Sequence, residues 1–199
     1  MSETYRTIAE RGRARFELRG SEFVGHVGPA QTVDAAEQFV ASVRGGYADA
    51  THHVPAYRVR ADPLREWADD DGEPGGSAGK PALNVLVREE LQNVVTVVVR
   101  YYGGTNLGVG GLARAYARGV KDALGAATVV ERRPHTRFVV GVAYDDSGTV
   151  RGILEGSDAE FDATYDSSVT FEVRVPETLA DQLRDRIRSA TSGRADLGP

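Results

Sequence analysis

Cysteine is absent from this 199-residue chain. Disulfides, cysteine-ligated zinc, iron–sulfur clusters and thiol catalysis are therefore excluded. Lysine is almost absent: Lys80 and Lys121 are the only two among 24 basic residues, so arginine carries the positive charge. No apolar run approaches the roughly 18 residues of a membrane span. The longest, Val94 to Val99, has the length of a strand. The first sixteen residues contain no apolar signal segment, and these absences together predict a soluble cytoplasmic protein that does not enter membranes. A net charge of −5 excludes a global electrostatic pull on nucleic acid, so any such binding needs a local patch. Nucleophile and zinc-protease motifs such as G-x-S-x-G and H-E-x-x-H are also missing.

What remains is ordinary globular material, 41% hydrophobic and 27% charged, enough for one large or two small domains. Short alternating segments on either side of Arg11-Gly12 read as two strands meeting there. Thr32 is an N-cap for a helix whose Ala35, Ala36, Phe39, Val40 and Val43 recur at helical spacing. His53 to Arg60 alternates as a strand, with Pro55 calling for an edge or a strand start. Pro81 fits the first turn of a helix to about Glu90, with Leu83, Leu86, Val87 and Leu91 as its apolar stripe. Val94 to Tyr102 is a nearly continuous β-branched run, the mark of a central strand buried on both faces. Gly103-Gly104 ends it, and Gly108 to Gly111 opens a helix over Leu112 to Ala126. Thr128 to Val130 reads as another strand.

The charged stretch ending in Pro134 is the best boundary, giving domains 1–131 and 132–199. The second reads strand, helix, strand, strand, helix, with a hairpin at Asp166-Ser167. That βαββα order is most of a ferredoxin-like unit. A closing strand would have to come from Ala195 to Pro199, which looks too short.

Chemistry concentrates between Asp69 and Tyr116. The glycines at Gly103, Gly104, Gly108, Gly110 and Gly111 expose backbone N–H groups before a helix start, a setting that suits phosphate or carboxylate. Arg100, Arg114 and Lys80 add positive charge, and Tyr102 adds a ring. The competing reading is a tight strand-to-helix connection. Gly108-x-Gly110-x-x-Ala113 imitates a dinucleotide fingerprint, but five residues separate it from the strand end. Gly75 to Pro81 imitates a Walker loop, but Pro81 stands where magnesium needs Ser or Thr. Asp70, Asp71 and Glu73 are candidate oxygen ligands for Mg2+, against the plainer reading that they pair with arginines. His52 and His53 are adjacent on a strand and so face opposite ways; His52 is the candidate for the site.

Three ordered blocks carry a resemblance: Ala50-Thr51-His52 with Ala56-Tyr57, Asp70-Asp71-Gly72-Glu73-Pro74 through Pro81, and Val97 through Tyr116. Together they resemble the IMPACT/YigZ family. That resemblance implies an α+β protein of two domains, the first like domain 2 of ribosomal protein S5. The second would be ferredoxin-like, similar to a late domain of translocating elongation factors. It further implies RNA or the ribosome and translation machinery as partner, and it transfers no enzymatic activity or cofactor. The expected function is thus a non-enzymatic regulator of translation or stress response. The two alternatives are a Mg2+-dependent enzyme acting on a phosphorylated metabolite or nucleotide, and a protein-interaction module that binds no nucleic acid.

Overall fold

The computed structural model describes residues 4–61 and 63–199. Contacts divide the chain into two units, Tyr5–Arg132 and Arg133–Pro199.

The first unit runs β1 (Tyr5–Glu10), β2 (Gly12–Leu18), β3 (Ser21–Pro29), α1 (Val33–Gly46), β4 (His52–Val59), β5 (Arg65–Ala68), α2 (Gly79–Arg88), β6 (Val94–Tyr101), α3 (Val109–Gly125) and β7 (Thr128–Arg132). Five strands form an antiparallel sheet in the order β2-β3-β6-β4-β5. The β-branched run is its middle strand, buried from Val94 to Arg100. Side-chain alternation sorts it: Val94 and Val98 join the core under α2 and α3, while Val95, Val97 and Val99 join the core under α1. Arg100 shares the first of these faces and Tyr101 the second. Thr32 caps α1 as the sequence predicts, its Oγ1 accepting from the Ala35 amide at 3.1 Å.

Helix α3 lies unusually close to the sheet. A side chain at Gly25 would collide with the Gly119 carbonyl, so glycine at that rung lets strand and helix backbones touch. The β4–β5 ladder ends at Ala56↔Ala68, beside Pro55, where no strand N–H is required.

Two local expectations are corrected and one strand is added. β1 does not pair with β2 across Arg11-Gly12; it pairs with β7, from Tyr5↔Arg132 to Glu10↔Thr128. β2 instead turns into β3 through Arg19-Gly20, both at positive φ (49° and 81°). That two-residue turn was hidden because arginine, not Asn, Asp or Gly, holds its first position. In α2 the buried residues are Ala82, Val85 and Leu86, while Val87 is exposed. The helix begins two residues before Pro81, which rotates the stripe. Finally, β5 carried no strand pattern strong enough to read.

The second unit comprises β8 (His135–Val142), α4 (Tyr144–Glu155), β9 (Glu160–Tyr165), β10 (Val169–Pro176), a short 3-10 turn (Glu177–Leu179), α5 (Ala180–Ala190) and β11 (Asp196–Gly198). The sheet order β11-β8-β10-β9 is the ferredoxin-like one, so the chain is an α+β protein of two domains. The hairpin sits at the expected place, with the Asp166 amide donating to the Ser168 carbonyl at 3.0 Å. The closing strand, which looked too short, is present: three residues pair Asp196↔Gly141 through Gly198↔Val139. It is held by what precedes it. Ser192 and Gly193 turn the chain at positive φ. Buried Thr191 donates to the Ile187 carbonyl at 2.9 Å and accepts from the Ala195 amide at 3.3 Å. Leu197 then packs on the core.

Candidate functional site

The three sequence blocks meet on the α2/α3 side of the first sheet. His52 and Arg100 are rung partners on β4 and β6, so their side chains share a face. The loop from Asp69 to Ala78 passes over them, tied to the sheet by the Asp69 amide donating to the Pro55 carbonyl at 3.2 Å. From α3, Tyr116 reaches the same point. Glu73 sits at the centre, its side chain only 4% exposed. Its Oε1 accepts from Arg100 Nη1 at 2.6 Å and from the Tyr116 hydroxyl at 2.6 Å. Arg100 also donates through Nη2 to Ser21 Oγ at 3.3 Å, and its guanidinium lies over the rings of Phe23 and Tyr102. Burial, then the bond to Glu73, raises the Tyr116 pKa, so this phenol stays protonated and acts as donor. His52 Nδ1 lies 2.7 Å from the Asp71 carbonyl and must donate there, while its Nε2 stands 3.9 Å from Glu73.

Arg100 is therefore not offered to an incoming anion. It is 4% exposed and neutralised by Glu73 beneath the ring of Tyr102. Sequence reasoning missed Tyr116 and Ser21 here. The only cue was a polar-tipped residue on the apolar stripe of α3 between Leu112 and Val120.

The other carboxylates are likewise engaged. Asp70 does the capping that α2 lacks at Ala78. Its Oδ1 accepts from the Ala78 and Gly79 amides at 3.0 and 2.8 Å, and Oδ2 from Gly76 at 2.6 Å. Burial alone would raise its pKa, but these three donors outweigh burial and hold the carboxyl below the usual range. Asp71 accepts from the His53 amide at 2.6 Å and from Arg44 at 2.7 Å. Hence Asp70, Asp71 and Glu73 do not turn their oxygens to a common point. Among the described residues no group of three or more His, Asp or Glu side chains is placed to hold a metal ion. The Mg2+ arrangement expected from their spacing is not assembled, because each acid has met a donor from a distant part of the chain.

Asp70→Asn is expected to destabilise the first unit by about 1–2 kcal/mol, through one poorly matched amide at the α2 start. The wild-type contribution is fully present above the unfolded carboxyl pKa of about 4. It is lost as pH falls through the lower folded value, so the variant lacks that part of the acid sensitivity. Thermal melts at neutral and acid pH check both.

The second glycine turn divides by role. Gly103 is small because the β2–β3 turn runs against it: an added Cβ would overlap the Gly20 carbonyl. Its amide donates to Ser21 Oγ at 3.1 Å. Gly104 (φ 82°) and Gly108 (φ 70°) lie in open space, with the backbone in the left-handed region. The first helical bond of α3 is Leu112 N–H to the Gly108 carbonyl. The amides of Val109, Gly110 and Gly111 precede it and have no partner among the described residues, as at any helix start. Arg114 folds back beside Gly110. Gly108, Gly110, Gly111 and Arg114 thus come together at the surface, with half-exposed Tyr102 nearby in sequence and bonded to Asn106 at 3.1 Å.

Beside them lies a groove of 480 Å3 between α2 and α3, lined by Pro81, Asn84 and Arg88 from one helix and Arg114, Ala117 and Lys121 from the other. Lys80, exposed, adjoins its Pro81 end. None of Lys80, Arg88, Arg114 and Lys121 has a carboxylate within ion-pair distance among the described residues. Arg118, also on the groove, pairs with Asp122 at 3.1 Å. Arg88 and Lys121 were invisible to sequence reasoning, since only the packing of α2 on α3 sets them opposite each other. Residues 5–132 hold sixteen basic and sixteen acidic side chains. The overall negative charge therefore belongs to the rest of the chain and does not oppose this patch.

A family model described as the Impact N-terminal domain matches residues 19–124, and one described as a domain of unknown function (DUF1949) matches residues 140–194. The chain is 32% identical over 198 residues to the IMPACT family member YvyE of Bacillus subtilis, covering 99% of this chain and 91% of that protein. It is 33% identical over 184 residues to the IMPACT family member YigZ of Escherichia coli, covering 91% and 90%. A crystal structure described as that of a hypothetical protein superposes with a TM-score of 0.75 at 31% identity, covering 100% of this chain and 98% of the other.

Proposed function

This chain belongs to the IMPACT family, and from that premise we propose that it is a non-enzymatic, translation-associated regulator that holds RNA by its phosphate backbone in the α2/α3 groove. The observation that carries the reading is a set of cations without carboxylate partners at one groove, Arg88, Arg114 and Lys121 on its walls and Lys80 next to Pro81 at its end. Several other arginines of the first unit are neutralised by acids, Arg100, Arg44 and Arg58 among them. Cations left unpaired beside one another repel, and a string of phosphates relieves that repulsion. The amides opening α3 supply neutral donors beside Arg114. The groove has alanine and proline walls and no aromatic ring on its lining, so contact is with backbone and not with bases.

The open face of the second unit's own sheet has a different character. It presents Arg137, Glu160, Asp162, Glu172 and Arg174 around Val139, with more acid than base and without the stacked rings that single-stranded RNA uses. The Mg2+-dependent alternative loses its ligands to Glu73–Arg100, Asp71–Arg44 and the Asp70 cap.

Four phosphate contacts to single-stranded RNA give a log–log salt slope of about −3, and affinity falling on the order of fifty-fold from about 50 to 200 mM salt. Each Ala substitution among Lys80, Arg88, Arg114 and Lys121 is expected to reduce the slope by about 0.7. Fluorescence anisotropy of a labelled oligoribonucleotide against salt checks this. Binding unchanged in the fourfold variant removes the groove from the function. Co-purification with ribosomes that survives both that variant and RNase would transfer the role to protein contacts.

A further inference from the structure

The opposite face of the same sheet holds a second cleft. Helix α1 packs on β3, β4 and β6 and leaves the edge strand β2 uncovered. Between α1 and β2 lies a cavity of 240 Å3. Phe39 and Tyr47 form its aromatic wall. Arg11 lies over Phe39 at 5.1 Å to the ring centroid and Arg13 over Tyr47 at 6.0 Å. Both arginines are exposed, and neither has a carboxylate partner among the described residues. At the floor stands His26, rung partner of Arg13, with its ring edge-on to Tyr47 at 5.1 Å. Its Nε2 is buried and has no hydrogen-bond partner.

These features are unusual together. A buried ring nitrogen without a partner is unfavourable, since it has given up water and gained nothing in return. Burial first, and the charge of Arg13 second, lower the His26 pKa to about 4, so the ring is neutral at ordinary pH and acts as a hydrogen-bonding group of no charge. Two guanidiniums lying on aromatic rings are already desolvated on one side, and a flat ring entering the cleft meets the same planar surfaces.

We propose that this cleft binds a mononucleotide-sized anion, its flat heteroaromatic body against Tyr47 and Phe39 with an edge on His26 Nε2, and its phosphate between Arg11 and Arg13. The volume suits a nucleoside monophosphate and is small for a dinucleotide. The same chemistry arrives either as a free mononucleotide or as the phosphorylated end of a strand. The cleft shares no residue with the α2/α3 groove, so either site fails or stands without the other.

The test is calorimetric titration of the full chain with AMP, adenosine, inorganic phosphate and a short 5′-phosphorylated oligoribonucleotide, with His26 ring resonances followed by NMR. AMP is expected to saturate with a Kd below about 1 mM and to move the His26 signals, with adenosine and phosphate each weaker by about tenfold or more. Arg11→Ala with Arg13→Ala should weaken AMP by at least about tenfold. Ser42→Trp, at an exposed lining position of α1, should block the cleft while melts show the fold intact. Competition between the oligonucleotide and AMP would identify a strand end as the ligand; AMP alone binding would identify the free nucleotide. No saturable AMP signal, AMP binding unchanged in Ser42→Trp, or phosphate binding as tightly as AMP each overturns the proposal.

Discussion

Glu73→Ala is expected to destabilise the first unit by about 3–5 kcal/mol, lowering its melting midpoint by roughly 10–20 °C. The change removes a charge whose side chain is 4% exposed and strands two donors at once. Arg100, itself 4% exposed, would be a buried cation without a counter-ion. The Tyr116 hydroxyl, fully buried, would lose its acceptor. Glu73→Gln keeps an acceptor for Tyr116 and removes only the charge, so its cost is intermediate. The informative control is the pair Glu73→Leu with Arg100→Met. Replacing both ions by apolar groups of similar size should recover most of the loss, because the damage in the single variant comes from the orphaned partner and not from a missing attraction. Calorimetry that resolves the transition of the first unit decides it. A Glu73→Ala midpoint within the range of a surface substitution, about 0.5 kcal/mol, would mean that water reaches Arg100 and that the three sequence blocks are not held by this carboxylate.

Gly103→Ala is the second large effect, and its neighbour is the control. A methyl group at Gly103 would lie inside the backbone of Gly20 and against the Ser21 amide. Neither contact is with a flexible side chain, so relief requires parting the β2–β3 turn from the end of β6. That movement also pulls Ser21 Oγ from the Gly103 amide and from Arg100. The expected loss is about 3 kcal/mol or more, at the upper end of overpacking effects. At Gly104 nothing lies within 4 Å of an added Cβ, and only the positive φ of 82° is penalised, at about 1–2 kcal/mol. Chemical denaturation of the two variants ranks them. A Gly104→Ala variant less stable than Gly103→Ala would show that the turn geometry, and not the contact with Gly20, dictates the first glycine.

Much of the architecture was legible because it depends on short-range pattern. The valine run announced the middle strand, Thr32 announced α1, and the order of elements after Pro134 announced a ferredoxin-like sheet. Parity along a strand separated His52 from His53 correctly, one bonded beside Glu73 and the other to the Tyr47 carbonyl at 2.8 Å. The site was read less well, for a single physical reason. Sequence places Asp70, Asp71 and Glu73 together and Arg100 with the glycines, so each group looks like a binding site in itself. Folding sets these groups against one another, Glu73 on Arg100, Asp71 on Arg44, Asp70 on the α2 amides, and so withdraws most of them from any ligand. The charges that remain outside, Arg88, Arg114 and Lys121, belong to helix faces whose juxtaposition is a matter of packing. β11 was doubted on length alone, when the anchors at Thr191 and Leu197 settle its place.

The ribbon joining β1 to β7 bears on how the chain is made. Glu10 and Thr128 are 118 positions apart, yet their side chains bond at 3.2 Å. At about 5–20 residues per second of synthesis, the opening strand waits on the order of ten seconds for its mate to be translated. During that interval Ile8, which ends 1% exposed, has no finished seat, and the nascent segment is open to chaperones. The unit can lock only when its last strand emerges.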